Sequence, residues 1–345
     1  MKTNRRNFLR NTAIASIGLS ALPAGVVHSL ANKGYIMTVK GKIKPSEMGL
    51  ALTHEHVLVD FIKGATGEIW WDREEVKSIV LPYLEEVKEF GCRTFFEFTP
   101  SYIGKDVRLL QELANATGLH IITNTGYYGA VNNKYMPAHA WDESAKQLAA
   151  RWIRDFRKGM QGTNIRPGFI KIGVNPGPLS ELHQKLVKAA ALTHLKTGLT
   201  IASHTGPAEP ALQEIELLKE NGVHPGAFVW THAQNEKDFT NHIKAAEMGT
   251  WISLDGIRVK KLDRYLSMLQ NLKEHGHLNR ILLSHDAGWY RPGEEKGSKY
   301  RGHTTLFSHL LPLMRDNGFS QDEIDLLLIR NPMEAFTIAV RKNRS

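Results

Sequence analysis

Near the start of the chain, Leu52-Thr53-His54-Glu55-His56 closes a short apolar run. In an extended segment residues i and i+2 share a face, so His54 and His56 point the same way and Glu55 faces away. Two imidazoles aimed at one spot are the beginning of a site for a divalent transition ion. Three later runs end alike, in Ser203-His204, Thr231-His232 and Ser284-His285-Asp286. His285 and Asp286 are adjacent, so only one can face inward, and a carboxylate complements a set of histidines. Each histidine taken singly is more often structural than a ligand. His183, His194, His242, His275 and His277, in helical stretches or at their ends, are read that way. Four histidines and Asp286 at the ends of strand-like runs point instead to a metal site.

Gly168-Phe169-Ile170-Lys171-Ile172-Gly173 adds a different donor. A lysine between Phe and Ile on a central strand, beside metal ions, is expected to lose its proton, because desolvation and neighbouring cations favour the neutral amine. A neutral amine can add carbon dioxide, and the resulting carbamate has two oxygens with which to bridge two cations. The plain alternative is a lysine reaching the rim. A Schiff-base lysine is the other functional reading, which leaves the histidines unexplained.

These side chains need a scaffold that brings distant strand ends together. Candidate strands cover residues 50–54, 94–98, 120–124, 169–172, 199–203, 227–231, 250–254 and 280–284. Helical patterns lie between and after them, at 74–90, 107–116, 143–158, 181–196, 211–220, 236–248, 263–275 and 303–315, several ending in glycine. Eight such alternations predict a single α/β domain, a (β/α)8 TIM barrel whose catalytic groups sit at the carboxyl ends of the strands. A doubly wound sheet is the rival, but no glycine-rich phosphate loop supports its usual nucleotide-binding use.

Composition agrees with a folded enzyme. The 345 residues are 42% hydrophobic and 23% charged, which excludes disordered, collagen-like and disulfide-framework classes. No apolar run reaches the roughly 18 residues of a membrane span. The formal net charge is +9. Much of that excess lies at the N-terminus, without a basic block or a nucleic-acid motif, so a small-molecule substrate is expected and nucleic acid is not. The single cysteine, Cys92, reads as a buried filler.

Thr3-Asn4-Arg5-Arg6-Asn7-Phe8-Leu9-Arg10, then a short apolar stretch and small residues up to Ala31, has the layout of an export signal. The paired arginines resemble a twin-arginine signal. Residues 1–31 are therefore expected to be a cleaved address, and 32–345 a periplasmic enzyme domain.

The motifs together resemble the phosphotriesterase family of the amidohydrolase superfamily, from Met37-Thr38-Val39-Lys40-Gly41-Lys42-Ile43 through the His54-Glu55-His56 motif to Asn331-Pro332-Met333-Glu334-Ala335-Phe336. The resemblance implies an amidohydrolase-type barrel with two divalent ions. His54, His56 and Asp286 would hold the buried ion and His204 and His232 the exposed one. Carboxylated Lys171 and a hydroxide would bridge them. Zinc is the first expectation, with Mn2+, Co2+ or Fe2+ as alternatives. Asp286 is the expected proton carrier, and Tyr128 falls where the family places an aromatic over the leaving group. Two positions depart from the pattern: Asn235 replaces an Asp, and Gly256 stands where the family has His or Arg. The loop after the eighth strand, residues 288–302, has aromatic side chains, glycine hinges and two arginines, Arg291 and Arg301, which fits a lid that recognises an acyl or anionic group. Trp289, Tyr290 and Arg291, with Arg258, are candidate substrate contacts. The expected reaction is hydrolysis of a lactone or carboxylic ester by attack of the bridging hydroxide. Phosphotriester or amide hydrolysis on the same centre is the alternative, and a Schiff-base or one-metal lyase or decarboxylase the distant one. Barrels of this type often pair, which makes a homodimer the assembly to look for, although no stretch of the sequence marks an interface.

Overall fold

A computed structural model describes residues 34–343; the expected export signal lies outside them. Eight parallel strands form the wall: β1 (Leu50–Leu58), β2 (Cys92–Glu97), β3 (His120–Ile122, continued by Asn124–Thr125), β4 (Phe169–Gly173), β5 (Thr200–His204), β6 (Phe228–Thr231), β7 (Trp251–Leu254) and β8 (Ile281–Leu283). β3 breaks at Thr123, its first half pairing with β2 and its second with β4. The far edges meet where Asp286 N donates to His54 O at 3.0 Å and His56 N to Ala287 O at 2.9 Å. A short further strand, β9 (Gly288–Tyr290), then runs parallel to β1 with Gly288 opposite His56. Only glycine fits there, since an added Cβ would sit 1.8 Å from His56 O. The fold is a (β/α)8 barrel.

Helices follow the strands: α1 (Arg73–Glu89), α2 (Val107–Thr117), α3 (Ala145–Lys158), α4 (Glu181–Thr197), α5 (Ala208–Glu220), α6 (Thr240–Glu247) and α7 (Leu262–Glu274). The eighth begins as one π turn, Leu306–Leu310, and continues as Leu311–Asp316. Asp72, Asp106, Ser144 and Ser180 cap helix starts with side-chain oxygens. Gly118 and Gly198 end α2 and α4 at φ 77°, the left-handed conformation that glycine adopts without steric cost.

Alternation along the strands separates two buried layers. Ile170, Ile172, Ile201, Trp230 and Ile252 belong to the large cluster packed with the helices, whereas Phe96, Phe98, Phe169, Ala202, Val229, Trp251, Leu282 and Phe336 fill the barrel. Lys171 follows Phe169 by two and His204 follows Ala202 by two, so both fall on the barrel-facing side by simple pleating. The aromatic filling lies directly beneath them, with Phe98 stacked on the His54 ring at 4.1 Å between centroids and 5.0 Å from Lys171 Nζ.

Three site residues do not follow simple pleating. In β1 the pairing with β2 slips between Leu52 and Glu55. This β-bulge inverts the alternation that begins at barrel-facing Ala51 and turns His54 and His56 to the mouth. On β6, Val229 faces the barrel interior, so His232 by parity would face out. Its φ of 60° brings the ring back. Asp286 (φ 50°) and Trp289 (φ 76°) are also left-handed. Non-glycine residues in that region cost of order 1–3 kcal/mol each and cluster at functional sites.

Candidate metal centre

A cavity of about 80 Å³ opens at the carboxyl ends of the strands, and His54, His56, Lys171, His204, His232 and Asp286 all line it, with Tyr128, Thr99 and Trp289. All six residues expected to hold metal are thus brought together. His285, the neighbour of Asp286, is turned away and buried against Glu55.

The histidines are oriented from behind. His54 Nδ1 lies 2.8 Å from Asp255 Oδ2 and His232 Nδ1 lies 2.7 Å from Asp255 Oδ1, while His56 Nδ1 meets Thr99 Oγ1 at 2.8 Å. With their Nδ1 atoms occupied, the three rings offer Nε2 to the cavity. His56 Nε2 is 3.1 Å and His54 Nε2 3.7 Å from Asp286 Oδ1. The ligand atoms of His54, His56 and Asp286 all lie within 4.8 Å of one another. His232 Nε2 faces His204 Nδ1 at 2.8 Å, and the Tyr128 hydroxyl touches the His204 ring at 3.2 Å. Imidazole nitrogens backed by a carboxylate or hydroxyl, together with an inward carboxylate, are the arrangement that metal-binding histidines adopt. The residues fit divalent ions.

Electrostatics agree. Burial lowers the His54 pKa to about 4 despite Asp255, leaving a neutral ring able to donate a lone pair. His204 is driven well below its ordinary value by burial, then by His232 and Lys171. Burial raises the Asp286 carboxyl, but the His56 hydrogen bond and the fields of His54 and His232 prevail and hold it ionised. Lys171 is 2% exposed, and its pKa falls to about 8 because burial outweighs the pull of Asp255 and Asp286. Among the described residues its Nζ has one hydrogen-bond partner, Thr231 Oγ1 at 3.4 Å.

Comparison with known proteins identifies the barrel. The model of the phosphotriesterase family matches residues 34–336. The chain belongs to the phosphotriesterase family. A phosphotriesterase homology protein of Escherichia coli K12 is 28% identical over 292 residues, covering 84% of this chain and 98% of that one. An N-acetyltaurine hydrolase of Danio rerio is 27% identical over 353 residues, covering 88% and 98% respectively. A mutant phosphotriesterase-like lactonase of Deinococcus radiodurans superposes with a TM-score of 0.79 at 25% identity, covering 87% of this chain and 99% of that one. As a phosphotriesterase-family protein, the chain is a metal-dependent hydrolase with an amidohydrolase-type barrel.

The family departures have visible structural consequences. At Gly256 an added Cβ would lie 2.7 Å from Gln234 Nε2 and 2.8 Å from the Tyr265 hydroxyl. That space is taken by Gln234, which braces Asp255 through hydrogen bonds of 3.1 Å to its Oδ1 and from its N–H. Asn235 is exposed and lies outside the cavity lining. Neither position offers a proton relay to Asp286.

The substrate candidates divide. Tyr128 and Trp289 line the cavity, whereas Arg258 and Arg291 line an adjoining cleft. Tyr290 must be withdrawn as a substrate contact. As the last residue of β9 it is 3% exposed, and its hydroxyl donates to Glu75 Oε1 on α1 at 2.9 Å. His183, His194 and His242 bond backbone carbonyls, as structural histidines do.

Sequence reasoning missed the residues behind the centre. Asp255 directly follows β7, at the same rim as the ligating residues, and that position was the available signal. Glu55 takes bonds from Ser284 Oγ, His285 N, His285 Nδ1, Ala287 N and His303 Nδ1 at 2.6–3.0 Å, locking the segment that presents Asp286. Nothing local to Glu55 announces partners some 230 positions away.

Proposed function

We propose that this chain is a two-metal hydrolase of ester bonds, acting on a lactone or carboxylic ester. The observation that carries the proposal is the convergence of the His54, His56 and His232 Nε2 atoms, the Asp286 carboxylate and the buried Lys171 amine on one cavity, with Asp255 and Thr99 fixing the rings from behind. His54, His56 and Asp286 would hold one ion, His204 and His232 the other, and carboxylated Lys171 would bridge. Zinc suits these nitrogen and oxygen donors, and manganese, cobalt or iron also bind such sets. When bound, a pair of divalent ions supplies Lewis acidity and water activated near neutral pH.

The chain's own residues supply the rest. A pKa near 8 leaves an appreciable fraction of Lys171 neutral at physiological pH, the form that adds carbon dioxide. The ionised Asp286 carboxylate accepts the proton of the attacking water and returns it to the leaving oxygen. Tyr128, its hydroxyl on His204, and Trp289, its ring 5.6 Å from His56, wall the cavity and exclude bulk water. Because Gly256 and Asn235 offer Asp286 no onward relay, the proton stays within the site. This favours acyl substrates, whose leaving group takes that proton back, over phosphotriesters with acidic leaving groups.

Amide hydrolysis is the second reading, favoured by the relative named N-acetyltaurine hydrolase. Kinetics of the zinc-loaded protein on matched lactones, aryl esters, N-acyl amines and a dialkyl aryl phosphate test the proposal. Highest kcat/KM on lactones or esters supports it, an N-acyl amine in first place transfers it to the second reading, and the phosphotriester in first place overturns both.

A further inference from the structure

A second opening of about 190 Å³ adjoins the cavity and shares Asp286 and Trp289 with it. Its remaining charged lining is cationic: Arg258 after β7, and Arg291, Lys299 and Arg301 from the loop after β9. The partners of these four groups set what the cleft can hold. Arg291 lies 3.5 Å from Glu294 Oε1 and near the Phe61 and Trp289 rings. Arg301 is anchored by Nη2, which donates to His285 O and Asp286 O, yet its Nη1 is buried with no hydrogen-bond partner among the described residues. Trp289 Nε1 is likewise a buried donor without a partner. The exposed side chains of Arg258 and Lys299 have no hydrogen-bond or ion-pair partner among the described residues.

An unpaired buried donor is destabilising, and cations gathered in a cleft repel one another and concentrate anions. Both penalties are relieved by an acceptor-rich anion. Asp286 is the one carboxylate in the lining, and it faces the histidines. We propose that this cleft binds an anionic group of the substrate, a carboxylate, sulfonate or phosphate, and makes the enzyme selective for acyl compounds whose scissile bond lies a few bonds from that charge. The proposal rests on the hydrolase reading above and names its substrate class. Arg301 fixes the anion from the floor and holds the carbonyls on either side of the Asp286 amide, so an occupied cleft also steadies the proton carrier. Arg258 and Lys299 close over the anion from the rim.

The test compares 4-acetoxybenzoate, 4-acetoxybenzenesulfonate and 4-acetoxyphenyl phosphate with neutral methyl 4-acetoxybenzoate, using the zinc-loaded protein. At least one charged ester is expected to exceed the neutral one tenfold or more in kcat/KM, and the three together rank the anions. The double variant Arg258→Gln, Lys299→Gln, altered only at exposed side chains, is expected to reduce that preference at least tenfold through KM, and Arg258→Glu to reduce it further. Calorimetric titration with benzenesulfonate is the parallel readout, with Kd at least tenfold weaker in the double variant. Esters hydrolysed without charge preference, with benzenesulfonate affinity equal in both proteins, would overturn the anion cleft and leave the hydrolase standing. No turnover of any ester, with benzenesulfonate affinity still lost in the variant, would overturn the hydrolase and leave the cleft standing.

Discussion

Asp255 carries more of the site than any expected ligand. Its two oxygens take the Nδ1 atoms of His54 and His232 and a hydrogen bond from Ser253 Oγ at 2.8 Å. Burial alone would raise its pKa, but His232 and His54 hold it well below the ordinary carboxylate range. An amide in its place can accept from only one ring at full strength, so the other loses its orientation. Asp255→Asn is therefore expected to weaken zinc binding about 10–100-fold in competition with a chromophoric chelator, with unchanged circular dichroism. Wild-type affinity in that variant would show that the rings need no such brace. The legibility of residues divides along the same line. His204 and Lys171 could be read from the sequence because regular pleating aims them. His232 could be named from its place at a strand end, although its inward turn depends on a left-handed φ. The bracing role of Asp255 depends on His54, 201 positions away, and no local pattern reports it.

At the scale of elements, alternating apolar runs and glycine-ended helices made the strands and helices legible to within a few residues. Two departures have physical causes. β1 runs on to Leu58, because the segment after β8 forms β9 and pairs with its end. That same strand explains why Tyr290 is buried: the pleat that faces Trp289 toward the cavity sends its neighbour to α1. A separate element carries a pH dependence. At the end of α4, His194 Nδ1 donates to Leu199 O at 2.8 Å while Nε2 accepts from Arg341 N at 2.9 Å, which ties the C-terminal segment to the barrel. Only the neutral ring can do both, and burial lowers its pKa to about 4. Below about pH 6.5 the unfolded chain takes up a proton that the native ring refuses. Stability is thus full above pH 6.5 and falls toward pH 4, by about 3 kcal/mol from this group. In urea titrations the stability gap between wild type and His194→Gln is expected to shrink from pH 7 to pH 4.5. A constant gap would contradict the assignment.

For the whole molecule, the barrel lets residues separated by more than 230 positions, from His54 to Asp286, close around one cavity. Its aromatic filling buries the underside of that cavity, and that burial lowers the lysine pKa. No helix among the described residues is long and apolar enough to cross a membrane. Fold and centre were legible together because a barrel places every strand end on one rim. The cationic cleft was partly legible, since the two arginines of the loop over the mouth, Arg291 and Arg301, could be read from the sequence, whereas the unpartnered Nη1 of Arg301 and its junction with Arg258 depend on loop geometry. The proposed role of Lys171, completing a site for two ions, is read out by counting metal. Elemental analysis after zinc loading and desalting should give about two ions per wild-type chain. Lys171→Ala should hold one or fewer, returning toward two when propionate is supplied. Two tightly held ions in Lys171→Ala without added carboxylate, or a single ion in the wild type, would rule that role out.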